Sequence, residues 1–174
     1  MKTVTKFGVT VTLASAGLMA FLGRWEGHRN QVYADQLAGG LPTVCKGITK
    51  HVSPFPVVLG DWWSDERCHE VERMVTERTQ LRLIDCFKVR INQHQFDAFS
   101  SHAHNFNVGA TCASRAMGLT NAGKPQEGCH ALSHAPDGRP VWSFVTDDQG
   151  RARFVQGLYN RRKAETALCL KGFS

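Results

Sequence analysis

The sequence predicts an α+β fold that is mostly helical, with one small sheet near the N-terminus and a helical C-terminal lobe joined to it by a long helix. Three observations predict it. Turn residues and short β-branched or aromatic pieces cluster between Val32 and Val52. Apolar positions recur at helical spacing after Ser64, through Cys68, Val71 and Val75. From Asn92 onward the chain breaks into helical stretches separated by short turns. The 174 residues suit one domain, and an apolar content of 42% is enough to build a core. No fixed-period repeat, low-complexity tract or linker-like cluster of Gly and Pro interrupts them.

In chain order, residues 7–25 read as a first helix running straight into Glu26, because no charged side chain occurs from 7 to 23. Residues 32–52 read as hairpins, with Ala38-Gly39-Gly40 and Pro42 as turn residues. The two prolines of SPFPVVLG bar a regular helix, so that stretch is a loop. Ser64 is a good N-cap, and Asp65 and Glu66 suit the positive end of a helix over about 65–85. Asn92 opens the next helix, with Phe96, Phe99 and Ala103 on one face, and Asn107-Val108-Gly109 closes it. Residues 111–120 and 125–134 read as two short helices around Asn121-Ala122-Gly123. APDGRP is a turn, VWSFV a brief extended piece, and DDQG another turn. FVQGLYNRRKAETALCLKG forms the last helix, with Gly172 past its end.

The formal net charge of +6 suits an anionic partner, whether nucleic acid, anionic lipid or an acidic wall polymer; it equally suits a solvated surface. No helix-turn-helix and no aromatic-basic RNA motif stands out, so nucleic acid is not expected as a partner. The six cysteines lack C-x-x-C pairs and read more readily as disulfides than as a zinc site; six buried thiols are the alternative. Bridges imply an oxidising compartment, and their pairing stays open. Lys2 and Lys6 ahead of an uncharged run have the layout of an export signal, with Ala14-Ser15-Ala16 as an A-x-A site if it is cut. The chain therefore divides into an N-terminal signal or anchor segment, 1–23, and a main folded domain, 24–174. His130 and His134 are four residues apart, but H-A-L-S-H lacks the Glu of H-E-x-x-H, so no metal and no cofactor is expected.

The chemistry concentrates in RWEGHRNQVYADQLAGGLPTVCKG. Glu26 follows an apolar run beside Trp25, Asp35 stands nine residues on, and Thr43 follows a Gly-Gly turn. Cleaving a glycosidic bond needs an acid on the leaving oxygen and a second group on the other face of the sugar. Two carboxylates in unequal surroundings supply this: Glu26 shielded and protonated, Asp35 wetter and ionised. A Thr hydroxyl both donates to and accepts from a water.

These residues resemble the phage lysozymes of glycoside hydrolase family 24, which include the lambdoid signal-anchor-release endolysins. The resemblance continues in NQHQFDAFSSHAHNFNVG and in GLYNRRKAETAL, touching most of the chain from 24 to 170. Thr43 comes eight residues after Asp35, where the family usually has six, and Ile48 follows Gly47 where many members have a His. Residues 136–155 fit the family pattern poorly. The resemblance implies a lysozyme-like fold and hydrolysis of the β-1,4 bond of bacterial peptidoglycan by a monomer. It makes Glu26 the general acid, Asp35 the residue that orients water or stabilises charge, and Thr43 its assistant. Phe106 and Asn107 match cleft-lining positions, and Arg161 or Arg162 lies behind Glu26. GVTVTLASAG has the composition of a releasable anchor, implying transient inner-membrane association through residues 7–22, then a periplasmic enzyme. A non-catalytic wall-binding protein on the same scaffold is the competing reading, but a pure binder has no need of both carboxylates.

Overall fold

The computed structural model describes residues 2–36, 39–147 and 149–173. Residues 7–25 do not form the single helix expected of them. Thr3–Lys6 (β1) and Val9–Thr12 (β2) pair as an antiparallel hairpin with Lys6 opposite Val9. Its two-residue loop, Phe7-Gly8, has both φ angles positive, 53° and 75°, the twist that tight hairpins prefer. The Val-Thr alternation favours strand, since β-branched side chains pack well on a pleated surface. An uncharged run signals burial or membrane compatibility and does not choose a backbone. The helix begins later, at Ala16–Gly23 (α1), where the Ser15 hydroxyl accepts from the Leu18 N–H. It stops short of Glu26, which stands in the turn beyond.

Arg29–Asp35 (β3), Leu41–Cys45 (β4) and Ile48–Thr49 (β5) form the expected small sheet, antiparallel and in sequential order. A register shift lies between Arg29 and Tyr33. Gly39 and Gly40 lead into β4 with φ of 67° and 81°, as the turn requires. Ala38 of the expected turn and Asp148 of the DDQG turn lie outside the described residues.

The long helix is Asp65–Leu83 (α2), capped by the Ser64 hydroxyl on the Arg67 N–H and continued by a short 3-10 turn to Cys86. It spans two cores. Cys68 and Val71 pack with Val32, Val44, Ile48 and Trp63 under the sheet. Leu83 packs with Phe87, Phe96, Phe99, Met117 and Leu132 in the helical lobe.

That lobe contains Gln93–Phe106 (α3), Val108–Cys112 (α4), Arg115–Asn121 (α5), Pro125–His130 (α6) and Gln156–Leu170 (α7). Asn92 and Gln95 form a reciprocal capping box at the start of α3. Asn107, at φ 72°, ends α3 as expected, but its side chain also caps α4 through the Ala110 N–H. The helix expected over 111–120 is thus two, since Ser114 caps a fresh start on the Met117 N–H. The helix expected over 125–134 stops at His130. A hairpin of Phe144–Thr146 (β6) and Ala152–Phe154 (β7) takes Phe154 out of the last helix and pairs it with Phe144, ring centroids 5.6 Å apart. The described residues therefore hold three small sheets rather than one.

The N-terminal hairpin belongs to the helical lobe. Val11 and Leu13 enter its core. The Gln93 side chain accepts from the Thr12 N–H (2.7 Å) and donates to the Thr12 carbonyl (3.0 Å). Gln80 accepts from the Ala14 N–H, and the Ser15 hydroxyl donates to Asp97. All six cysteines are bridged: Cys45–Cys68 joins β4 to α2, Cys86–Cys112 joins the end of the long helix to α4, and Cys129–Cys169 joins α6 to α7.

Candidate active site

Glu26 and Asp35 line one cleft of about 620 Å³ between the sheet and the helical lobe. Trp25, Arg29, Tyr33, Lys46, Gly47, His104, Asn105 and Arg161 line it with them. Each is brought there by a different element. The turn after α1 carries Trp25 and Glu26, β3 carries Arg29, Tyr33 and Asp35, and the β4–β5 turn carries Lys46 and Gly47. The end of α3 supplies His104 and Asn105, and α7 supplies Arg161.

Glu26 is the most constrained of them. Arg161 Nη1 donates to Glu26 Oε1 at 3.1 Å, and His104 Nδ1 lies 3.1 Å from the same oxygen. Burial pushes the carboxyl up, but the hydrogen bond and charge of His104 and then those of Arg161 pull it down, and the balance lies below the usual carboxylate value. The sequence set burial against an adjacent Arg with the balance open; here His104 and Arg161 together outweigh burial. Behind Glu26, Lys46 pairs with the buried Glu72 at 2.9 Å, beside Met19, Leu22 and Thr76.

Of the two candidate arginines, Arg161 is the one behind Glu26. Arg162 is fully buried and turns away, donating to Glu165 (2.6 Å) and Asn105 (3.0 Å) with its guanidinium over the Phe106 ring. Ser101 also donates to Glu165, and Arg161 Nε lies 3.5 Å from the same carboxylate oxygen. A buried carboxylate and two guanidiniums thus form the rigid support of the cleft floor.

The other expected residues fall less centrally. Thr43 is buried on β4 opposite Tyr33, and its hydroxyl donates to the Leu41 carbonyl at 3.0 Å. It does not appear in the wall that Glu26 and Asp35 share. Phe106 and Asn107 line an adjoining depression of about 610 Å³, which meets the first along Lys46, Gly47, His104 and Asn105. Phe106 packs on His102 and Trp142, with ring centroids 5.1 and 5.0 Å away. His134, half of the His pair weighed for metal, is held by Ser133 (2.8 Å) and Tyr159 (2.9 Å).

Sequence reasoning missed His104, Asn105 and Lys46. Among eight histidines, His104 stood out only as lying two residues from His102, a pair weighed for metal and set aside. Its neighbour two residues back, His102, is fully buried, bonded to Thr111, and held neutral with its pKa pushed down to about 3 by burial and by Arg162 and Arg161. The available signal was the helix itself: residues two apart on α3 point to nearly opposite sides, so one of the pair had to leave the core.

Chemically, the arrangement offers one shielded carboxyl with cationic support and a second carboxylate across a sugar-sized cleft, the equipment for acid-assisted glycoside cleavage. Comparison with known proteins points the same way. The sequence profile of the family described as Phage lysozyme matches residues 23–165. A protein of Pseudomonas phage phiKMV named SAR-endolysin is 32% identical over 165 residues, which is 94% of this chain and 90% of that one. The solved structure of an endolysin from Escherichia coli O157:H7 phage FAHEc1 superposes with a TM-score of 0.77 at 26% identity, covering 91% of this chain and 93% of that one. The muramidase domain of SpmX from Asticcacaulis excentricus shares the fold, with a TM-score of 0.75 at 22% identity over 90% of this chain and 96% of that one.

Proposed function

The chain belongs to the phage lysozyme family, a peptidoglycan-degrading glycoside hydrolase of the endolysin type, and from that premise we propose how its cleft cuts the wall. The bond is the β-1,4 linkage between N-acetylmuramic acid and N-acetylglucosamine, cut to lyse the host at phage release. Glu26 protonates the departing glycosidic oxygen as the C1–O bond breaks. Asp35 orients the attacking water or stabilises the positive charge that develops on the sugar. Arg161 holds the acid; Asn105, Phe106 and Asn107 border the glycan path. One observation carries this reading: two carboxylates from different elements share one cleft, and Glu26 is held there by Arg161 and His104.

Replacing Glu26 with Gln keeps shape and removes the proton. Release of reducing ends from purified sacculi is expected to fall by about 10³-fold, with the circular dichroism spectrum unchanged. A Glu26→Gln protein that digests sacculi at the normal rate refutes the assignment.

Residues 7–22 are further read as a segment that first associates with the inner membrane after export and then folds back in the periplasm. Its lack of charge and its weakly apolar Gly, Ala, Ser and Thr content support this. So does the number of contacts it makes on the helical lobe once released: Val11, Leu13 and Leu18 are buried, and Gln80, Gln93 and Asp97 receive its backbone and Ser15. In the membrane it cannot make those contacts, and Glu26 loses the support of α1. Membrane and soluble fractions of the full-length protein are expected to differ in wall hydrolysis, the soluble one being active. Equal activity in both defeats the idea.

A further inference from the structure

Trp62 is 72% exposed, the highest value among the described large hydrophobic side chains, while its neighbour Trp63 is buried in the core beneath the sheet. Backbone pairing sets the difference. Trp62 bridges Gln31 of β3 in the antiparallel sense. The Val32 N–H donates to the Asp61 carbonyl and the Trp63 N–H to the Asn30 carbonyl, both at 2.8 Å. These bonds flank the Gln31–Trp62 pair rather than join it, so the two side chains stand close together on one face. Trp63 is sent the other way, under the Arg67 guanidinium.

The face that carries Trp62 is the one the cleft uses. Val32 is buried with Trp63 in the sheet core, so its neighbours Gln31 and Tyr33 point away from that core. Tyr33 lines the cleft with Arg29 and Asp35, and the Arg29 guanidinium lies over the Tyr33 ring, 4.7 Å from its centroid. The register shift in this stretch therefore does not turn the strand over. Trp62 stands one strand further out, about 5 Å across the ladder from Gln31. An indole, a primary amide and the Tyr33–Arg29 pair thus face outward side by side, continuous with the wall that Glu26 and Asp35 share.

Charge selects the occupant of this surface. Residues 52–66 contain Asp61, Asp65 and Glu66 and no Lys or Arg. That disfavours nucleic acid and anionic lipid, which are drawn to cations. An uncharged sugar ring suits it: its C–H face packs flat on an indole, and its hydroxyl and acetamido groups bond to an amide.

We propose that Trp62 and Gln31 form a further saccharide subsite, which holds an N-acetylated sugar ring of the same glycan strand outside the catalytic cleft. This rests on the reading of the cleft as the place where the glycan is cut. The ladder bonds on either side of Trp62 present the indole already in place, so binding has little left to order there. A short strand that fills the cleft does not reach Trp62 and a longer one does, so the subsite makes the enzyme favour long strands.

The test compares kcat/KM on soluble, uncrosslinked glycan strands, fractionated into short and long sets, for wild type, Trp62→Ala and Trp62→Phe. Wild type is expected to favour the long set. In Trp62→Ala the long-to-short ratio is expected to fall about tenfold, with the loss carried by KM, and Trp62→Phe is expected to keep part of the preference. Equal ratios in wild type and Trp62→Ala overturn the proposal. A second measurement needs no turnover. In Glu26→Gln, the nitrogen-15 indole N–H signal of Trp62, identified by its loss when Trp62→Phe is added, is followed during titration with a long soluble oligomer of β-1,4-linked N-acetylglucosamine. A parallel titration uses anionic phospholipid vesicles, because Val58 and Leu59 in the preceding turn are also exposed, 53% each. The oligomer is expected to shift the signal. A signal moved by vesicles alone makes the surface a lipid contact, and a signal moved by neither leaves it without a ligand; both results overturn the proposal. The two readings fail separately. Wild type that releases no reducing ends from sacculi refutes the glycosidase reading, and the indole titration still decides on Trp62. Normal release with equal ratios refutes the Trp62 subsite alone.

Discussion

At Glu26, burial and positive charge pull in opposite directions. Desolvation favours the neutral acid, while His104 and Arg161 favour the carboxylate and prevail. The carboxylate pair and its spacing were readable from the chain, because Glu26 follows an apolar run and Asp35 stands nine residues on, ahead of a Gly-Gly turn. The cations were not, since they arrive from α3 and α7, far along the sequence. Arg161 and Arg162 are adjacent in sequence and take separate tasks, one on Glu26 and the other on Glu165. Arg162 and Glu165 are both fully buried, so removing Arg162 takes away the nearest cation of a buried carboxylate and leaves only Arg161, 3.5 Å away, to offset it. Arg162→Met is expected to lower unfolding free energy by about 3–5 kcal/mol, read as a fall in the urea midpoint. Arg162→Met combined with Glu165→Leu should recover part of that loss, since the stranded carboxylate is then gone. A single variant as stable as wild type contradicts this account of the cleft floor.

Among the elements, those with a local cause were legible and those with a distant one were not. α2 and α3 start where Ser64 and Asn92 place a side-chain acceptor over free N–H groups, a signal contained within four residues. The β1–β2 hairpin was misread as helix because lack of charge was given more weight than Val-Thr alternation and a Phe-Gly turn. The β6–β7 hairpin was half seen: VWSFV looked extended, but its partner lay inside what resembled a helix start. A finer example is the packing of α5 on α6. Gly128 lies against Thr120 and the Ala116 carbonyl so closely that a methyl group there collides with both. Gly128→Ala is expected to cost about 1–3 kcal/mol by overpacking, despite improving helix propensity, and thermal denaturation will report it. An unchanged or raised melting temperature means that the two helices part more easily than their contact implies.

Across the whole molecule, two cores share one long helix, and the cleft opens where the sheet faces α3 and α7. Three disulfides tie this arrangement, spanning separations of 23, 26 and 40 residues. Loops of that size are worth about 3–4 kcal/mol each in restricted unfolded-state entropy. Full reduction is therefore expected to lower the melting temperature by more than about 15 °C, measured by scanning calorimetry with and without a strong reductant. A reduced protein melting within a few degrees of the oxidised one removes the bridges from the account of stability. The dependence also matches folding in an oxidising compartment, as the even cysteine count suggested.

Read along the chain, the residues alone were enough to specify a mostly helical α+β molecule, its long connecting helix, its paired carboxylates and its bridged cysteines. Caps, apolar period and motif spacing all act within a few residues and survive in a linear string. Folding in three dimensions chose the cysteine partners, set Arg161 rather than Arg162 against the acid, turned His104 outward while burying His102, and drew Thr43 under the sheet. Those outcomes depend on which face of one element meets which face of another, and on how burial and charge balance at that meeting, quantities that no local stretch of sequence contains.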